Sequence, residues 1–72
     1  MTLEQFFEAS IQKEGVFHLK HDTIKSSSAK WEWYYYDTLI ASYSNKSVEL
    51  YKLKYSTSTT RRHNIVRRFY SK

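Results

Sequence analysis

The chain has no cysteine, which rules out both a disulfide framework and a thiolate metal site as braces for its fold. Glycine occurs once, at Gly15, and aliphatic side chains are few. No segment approaches the ~20 apolar residues of a membrane span. The opening MTLEQFFEAS lacks the basic stretch and apolar run of an export signal. These absences predict a cytoplasmic protein with no membrane partner. Glycine-rich phosphate loops and the G-x-S-x-G nucleophile elbow are missing as well. The carboxylates fall on an amphipathic helical stretch or beside aromatics, where a solvated role suits them better than acid–base chemistry. A non-enzymatic protein is expected.

What is present is aromatic bulk and positive charge. The 72 residues include two Trp, seven Tyr and four Phe. Each aromatic ring buries about 150–250 Å² when it goes inside, and a chain of this length, read as one small basic domain over residues 1–72, needs that area. Folding at this size buries only about 60% of the surface the unfolded chain exposes. The net charge is +5 and is unevenly laid out. Residues 1–37 carry Lys13, Lys20, Lys25 and Lys30 against Glu4, Glu8, Glu14, Asp22, Glu32 and Asp37. From Leu50 onward stand Lys52, Lys54, Arg61, Arg62, Arg67, Arg68 and Lys72 with no carboxylate at all. Such segregation points to a polyanionic partner or an acidic protein surface.

Thr2 and Gln5 have the spacing of a capping box, and Leu3, Phe6, Phe7 and Ile11 recur on one helical face, so a helix is expected there with Gly15 at its left-handed C-terminal stop. Val16 to His21 reads as a strand, and Ser26 to Ser28 as a loop. Trp31 to Tyr36 reads as a second strand. Its alternation sets Trp31, Trp33 and Tyr35 on one face, with Trp33 and Tyr35 in the core, and sends Tyr34 and Tyr36 to the surface. Thr38 to Tyr43 follows as a strand, Ser44-Asn45-Lys46 as a hairpin turn, and Val48 to Tyr55 as the returning strand. Ser56 to Thr60 offers N-caps for a helix from about Arg61 to Tyr70. Ile65, Val66, Phe69 and Tyr70 gather on one side of that helix, with Arg62 among them, and Arg61, Asn64, Arg67 and Arg68 on the other. The expected fold is α+β: a three- or four-stranded antiparallel sheet with N- and C-terminal helices packed on it, in the order α-β-β-β(-β)-α.

His18 and His21 are an odd number apart along a strand and point to opposite faces, which leaves no metal site and no cofactor to expect. The arginines are more informative. A solvated helix face would account for Arg67 and Arg68, but a helix starting near Arg61 would hold Arg61 and Arg62 in its first turn, where its dipole disfavours cations. That placement predicts a binding role. The expected binding residues are Arg61, Arg62, Arg67 and Arg68, with Lys52 and Lys54 on the preceding strand and Tyr34 and Tyr36 as stacking surfaces.

The segment from Tyr35 to Phe69, about half of the chain, carries Thr38, Ile40 and Ala41 in a T-x-I-A strand, then Ser56 or Ser58, Thr59, Thr60 and His63 opening the last helix. In this layout it resembles a family of short proteins encoded by phages and mobile elements. The resemblance implies a phage-type accessory origin and carries no activity with it. In that layout Thr59 or Thr60 caps the last helix, and His63 reaches back toward the sheet. Two functions remain open: nucleic-acid binding through the basic helix, or inhibition of an acidic or nucleic-acid-handling host protein through the same face. Unprotected strand edges leave a homo-oligomer possible.

Overall fold

The computed structural model describes residues 1–51 and 56–71, with 56–58 as backbone. Helix α1, Leu3–Ser10, starts where the capping box predicts. The Gln5 N–H donates to the Thr2 hydroxyl at 3.1 Å, and the Thr2 N–H donates to Gln5 Oε1 at 2.9 Å. Ile11 closes the helix, its N–H donating to the Phe7 carbonyl. Gly15 is therefore not the helix stop. It opens the first strand with φ +137°, a conformation for which side-chain-bearing residues are poorly suited.

Five strands follow: β1 Gly15–Leu19, β2 Asp22–Ser27, β3 Lys30–Tyr35, β4 Thr38–Ser44 and β5 Ser47–Leu50. They pair as an antiparallel meander in sequence order, and helix α2, Ser56–Tyr70, completes the fold. The architecture is thus α+β with both terminal helices and an antiparallel sheet, as the sequence predicts, with one more strand. The addition is β2, where Ser26 and Ser27 are paired residues rather than loop. The turn is confined to Ser28 and Ala29. At the Asn45-Lys46 turn both central residues are left-handed, with φ of 50° and 62°, the twist that suits a two-residue hairpin. Tyr51 follows β5, and the remainder of the expected strand, 52–55, lies outside the described residues.

Both helices cover the same face of the sheet. Phe6 and Phe7 from α1 and Ile65 and Val66 from α2 meet Ile24, Trp31, Trp33, Ile40 and Ala41 in one cluster. Phe7 is the joint. Its ring lies 5.1 Å from Trp33 in a stacked arrangement, and meets Trp31 edge-on at 5.1 Å and Phe69 edge-on at 5.5 Å. The opposite face carries Thr23, Lys25, Glu32, Tyr34, Ser42 and Glu49, and among the described residues no helix covers it. Strand β4 contains a bulge: Trp33 pairs with Ala41 and Tyr34 with Leu39, which leaves Ile40 as the extra residue. The bulge turns Ile40 and Ala41 both inward, and both are fully buried.

Helix α2 begins five residues before Arg61. Thr59 is a buried interior residue of the helix, not its cap, and Thr60 is likewise inside it. Thr59, Arg62, His63 and Val66 recur at the i, i+3, i+4, i+7 spacing of one inward stripe and all are buried. Three of those four are polar, so the stripe escapes a search for apolar periodicity.

Candidate functional site

The four arginines of α2 divide into two groups. Arg62 points into the fold. Its Nε donates to Asp22 Oδ1 at 2.5 Å and its Nη2 to Asp22 Oδ2 at 2.9 Å. Its guanidinium lies 4.0 Å from the Tyr35 ring centroid. The Trp33 indole N–H donates to Asp22 Oδ1 at 3.0 Å. Arg62 is thus a structural cation locked by a two-point carboxylate contact, and its expected place on a binding surface is corrected. The dipole penalty expected for Arg61 and Arg62 does not arise, because the helix starts at Ser56. Arg61 and Arg62 stand in the second turn, beyond the reach of the N-terminal dipole, while Arg67 and Arg68 lie in the last turn, which favours cations.

Arg61, Arg67 and Arg68 remain exposed and share one side of the helix. With Thr60 and Asn64 they line a shallow groove along its outer face. Positions 60, 61, 64, 67 and 68 fall within a stripe roughly 120° wide at ~100° per residue. Arg68 Nη2 comes no closer than 4.0 Å to Glu4 Oε2, and both side chains are well exposed, so this contact does not hold Arg68 away from solvent. At the N-terminal part of this face Arg61 and Lys20 line one side of a second cleft.

The aromatic candidates are not gathered with these arginines. Tyr34 lies on the helix-free face, with Lys25 Nζ 5.1 Å above its ring. Tyr36 is past the end of β3, in the turn, where it is 57% exposed. It adopts φ 55°, donates its N–H to the His21 carbonyl at 2.8 Å, and stacks on the His21 ring at 4.5 Å. Lys52 and Lys54 lie outside the described residues.

His63 reaches back to the sheet, as expected. Its Nε2 sits 2.8 Å from the carbonyl oxygen of Ile40, the bulge residue, which also accepts from the Tyr51 N–H at 2.9 Å. A carbonyl only accepts, so Nε2 carries the proton. His18 Nδ1 is paired with the Thr23 hydroxyl at 3.0 Å. Among the described residues no group of three His, Asp or Glu is arranged to hold a metal ion, and no helix is long and apolar enough to cross a membrane.

Two tyrosines are shifted. Burial raises Tyr70 above the ordinary 10.0, the bond from Trp31 acts against this, and neighbouring Tyr43 adds to it. Tyr34 is also raised, first by desolvation and then by the charge of, and its hydrogen bond to, Glu32. A raised phenol favours the protonated form in the fold, so its contribution is fully present below about pH 10 and is lost as pH rises through the shifted values. Tyrosinate absorbance at 295 nm is expected to show these two residues titrating above the ordinary phenol value of 10.0. The melting temperature should fall from about pH 10 upward, and Tyr70→Phe should weaken that dependence.

Comparison with family models, with curated proteins and with solved structures returns no match for the chain. The class that the fold and the site define is a small α+β protein with a basic outer helix.

Proposed function

We propose that the chain is a non-enzymatic, phage-type accessory protein of the cytoplasm that binds nucleic acid along the outer face of α2. The observation that carries this reading is the exposed set Arg61, Arg67 and Arg68, aligned with Thr60 and Asn64 in one groove on a helix without a carboxylate. Arg61 and Arg68 stand seven residues apart, about 10 Å along the axis, a span that covers successive phosphates of one strand. Arginine forks and the small polar groups between them suit phosphate oxygens, which position a nucleic acid without reading its sequence.

The test is binding of labelled oligonucleotides across a salt series. Three neutralised phosphates give a slope near −2.7 in log affinity against log salt on a duplex, roughly a 40-fold loss between about 50 and 200 mM. Replacing Arg61, Arg67 and Arg68 by Ala should remove about 0.9 of that slope for each arginine. Arg62 is left in place because it holds the fold. Binding that is absent at low salt for DNA and RNA, single or double, would remove this reading. Retention of an acidic host protein by the same arginines after nuclease treatment would replace it with inhibition of that partner. Light scattering on the same samples reads out pairing between copies through the β1 and β5 edges.

A further inference from the structure

Helix α2 runs across the sheet from the Asp22 and Tyr35 end to the opposite end, where Tyr70 meets Trp31 and Tyr43. There the rings of Tyr43 and Tyr70 lie 5.4 Å apart and 17° from parallel. Trp31 lies 6.3 Å from Tyr43 and 6.4 Å from Tyr70, with tilts of 12° and 23°. The Trp31 indole N–H donates to the Tyr70 hydroxyl at 2.9 Å, which fixes the Tyr70 ring. Among the described residues nothing accepts the hydrogen of that hydroxyl.

These rings form one side of a cleft of about 440 Å³, a volume within the ~300–1,000 Å³ range of small-molecule sites. Its rim comes from two hairpins: Ser28 in the β2–β3 turn with Lys30 at the start of β3, and Asn45 and Lys46 in the β4–β5 turn. Among the described residues neither lysine is engaged in an ion pair. A flat π-surface with a hydroxyl donor at its edge, flanked by two cations and an amide, matches a planar heteroaromatic group that carries an anionic substituent. Core packing alone accounts for Trp31, which is 3% exposed, but not for Tyr70 at 39% with two lysines beside its ring stack.

We infer that this cleft receives one unpaired nucleobase of a single strand, stacked on the Tyr43–Tyr70 pair with its phosphate between Lys30 and Lys46. The inference rests on the nucleic-acid reading of α2 and sharpens it to single-stranded substrates. Arg67 and Arg68 precede Tyr70 by less than one helical turn, so a strand held on the outer face is delivered to the cleft. A duplex keeps its bases paired and presents none without the expense of unstacking.

The experiment compares a ten-nucleotide single strand with a ten-base-pair duplex at about 50 mM salt. It uses the full chain and three variants: Tyr70→Leu, the pair Lys30→Ala with Lys46→Gly, and the Arg61, Arg67, Arg68 triple alanine. Lys30 is an exposed residue at the start of β3 and Lys46 an exposed turn residue, and glycine at 46 suits the left-handed φ of 62°, so that variant keeps the fold even if Tyr70→Leu does not. The expected result is tighter binding of the single strand, quenching of tryptophan emission by it, and a loss for Tyr70→Leu of about 5- to 150-fold, the equivalent of one stacked base. The lysine pair should weaken the single strand and spare the duplex, while the arginine triple should weaken both. Equal affinity for the two substrates, with the tyrosine and lysine variants indistinguishable from the parent, overturns the cleft and leaves the reading of α2 standing. No binding to either substrate overturns both.

Discussion

Arg62→Ala is expected to destabilise the protein by about 3–5 kcal/mol, the range for leaving one partner of a buried ion pair without the other. For a chain of this length the total stability is about 4–11 kcal/mol, at 0.05–0.15 kcal/mol per residue, so the variant should be largely unfolded or close to it. The reason lies in Asp22. It is 3% exposed and accepts from both Arg62 and the Trp33 indole. Without Arg62 its charge stays buried with one neutral donor. Arg62→Lys should rescue little, because an ammonium cannot make the two-point contact or lie flat over Tyr35. Arg62→Met combined with Asp22→Asn removes both charges and keeps an oxygen for Trp33, and should recover most of the loss. Urea midpoints for the three variants check this. An Arg62→Ala unfolding free energy within about 1 kcal/mol of the parent's would show that the pair does not hold the sheet to α2.

Phe7→Ala should cost a similar amount, about 3–5 kcal/mol, as for other buried large-to-alanine changes. Phe7 has no exposed surface and its ring touches Trp31, Trp33 and Phe69. Its removal opens a void among three elements at once, and rigid indoles collapse into such a void poorly. Because Phe69 shares that contact, Phe7→Ala and Phe69→Ala together should cost less than the sum of the two single changes, by roughly 0.5–1.5 kcal/mol. Equilibrium unfolding of the double-mutant cycle measures this coupling. Strict additivity would mean that α1 and α2 are held to the sheet separately.

The segments that are legible in the sequence are those whose pattern is local. The capping box at Thr2 and Gln5, the Leu3, Phe6, Phe7 face, the alternation through Trp31 and Trp33 and the Asn45-Lys46 turn each involve neighbours a few residues apart, and each forms as predicted. Strand β2 and the first turn of α2 behave differently. Two of the three inward residues of β2, Asp22 and Ser26, are polar, so the strand has almost no apolar alternation to read. The Ser/Thr run of α2 has the composition of a cap, yet it is helical because Thr59 packs inward. In both cases tertiary burial overrides propensity.

The candidate site divides along the same line. By itself the sequence determined that the C-terminal third is basic and free of acid, that aromatic rings supply the core, and that helices flank an antiparallel sheet, because composition and short-range periodicity suffice for these. Only the tertiary structure decided which arginines face solvent. Asp22 and Arg62 are forty residues apart and meet through the pairing of β2 with β3 and the crossing of α2 over the sheet. The same crossing carries Tyr70 to Trp31 and Tyr43 and makes a cleft from three distant residues. The sole signal in the sequence was Arg62 on the apolar side of its helix, a charge that has to find a partner inside the fold.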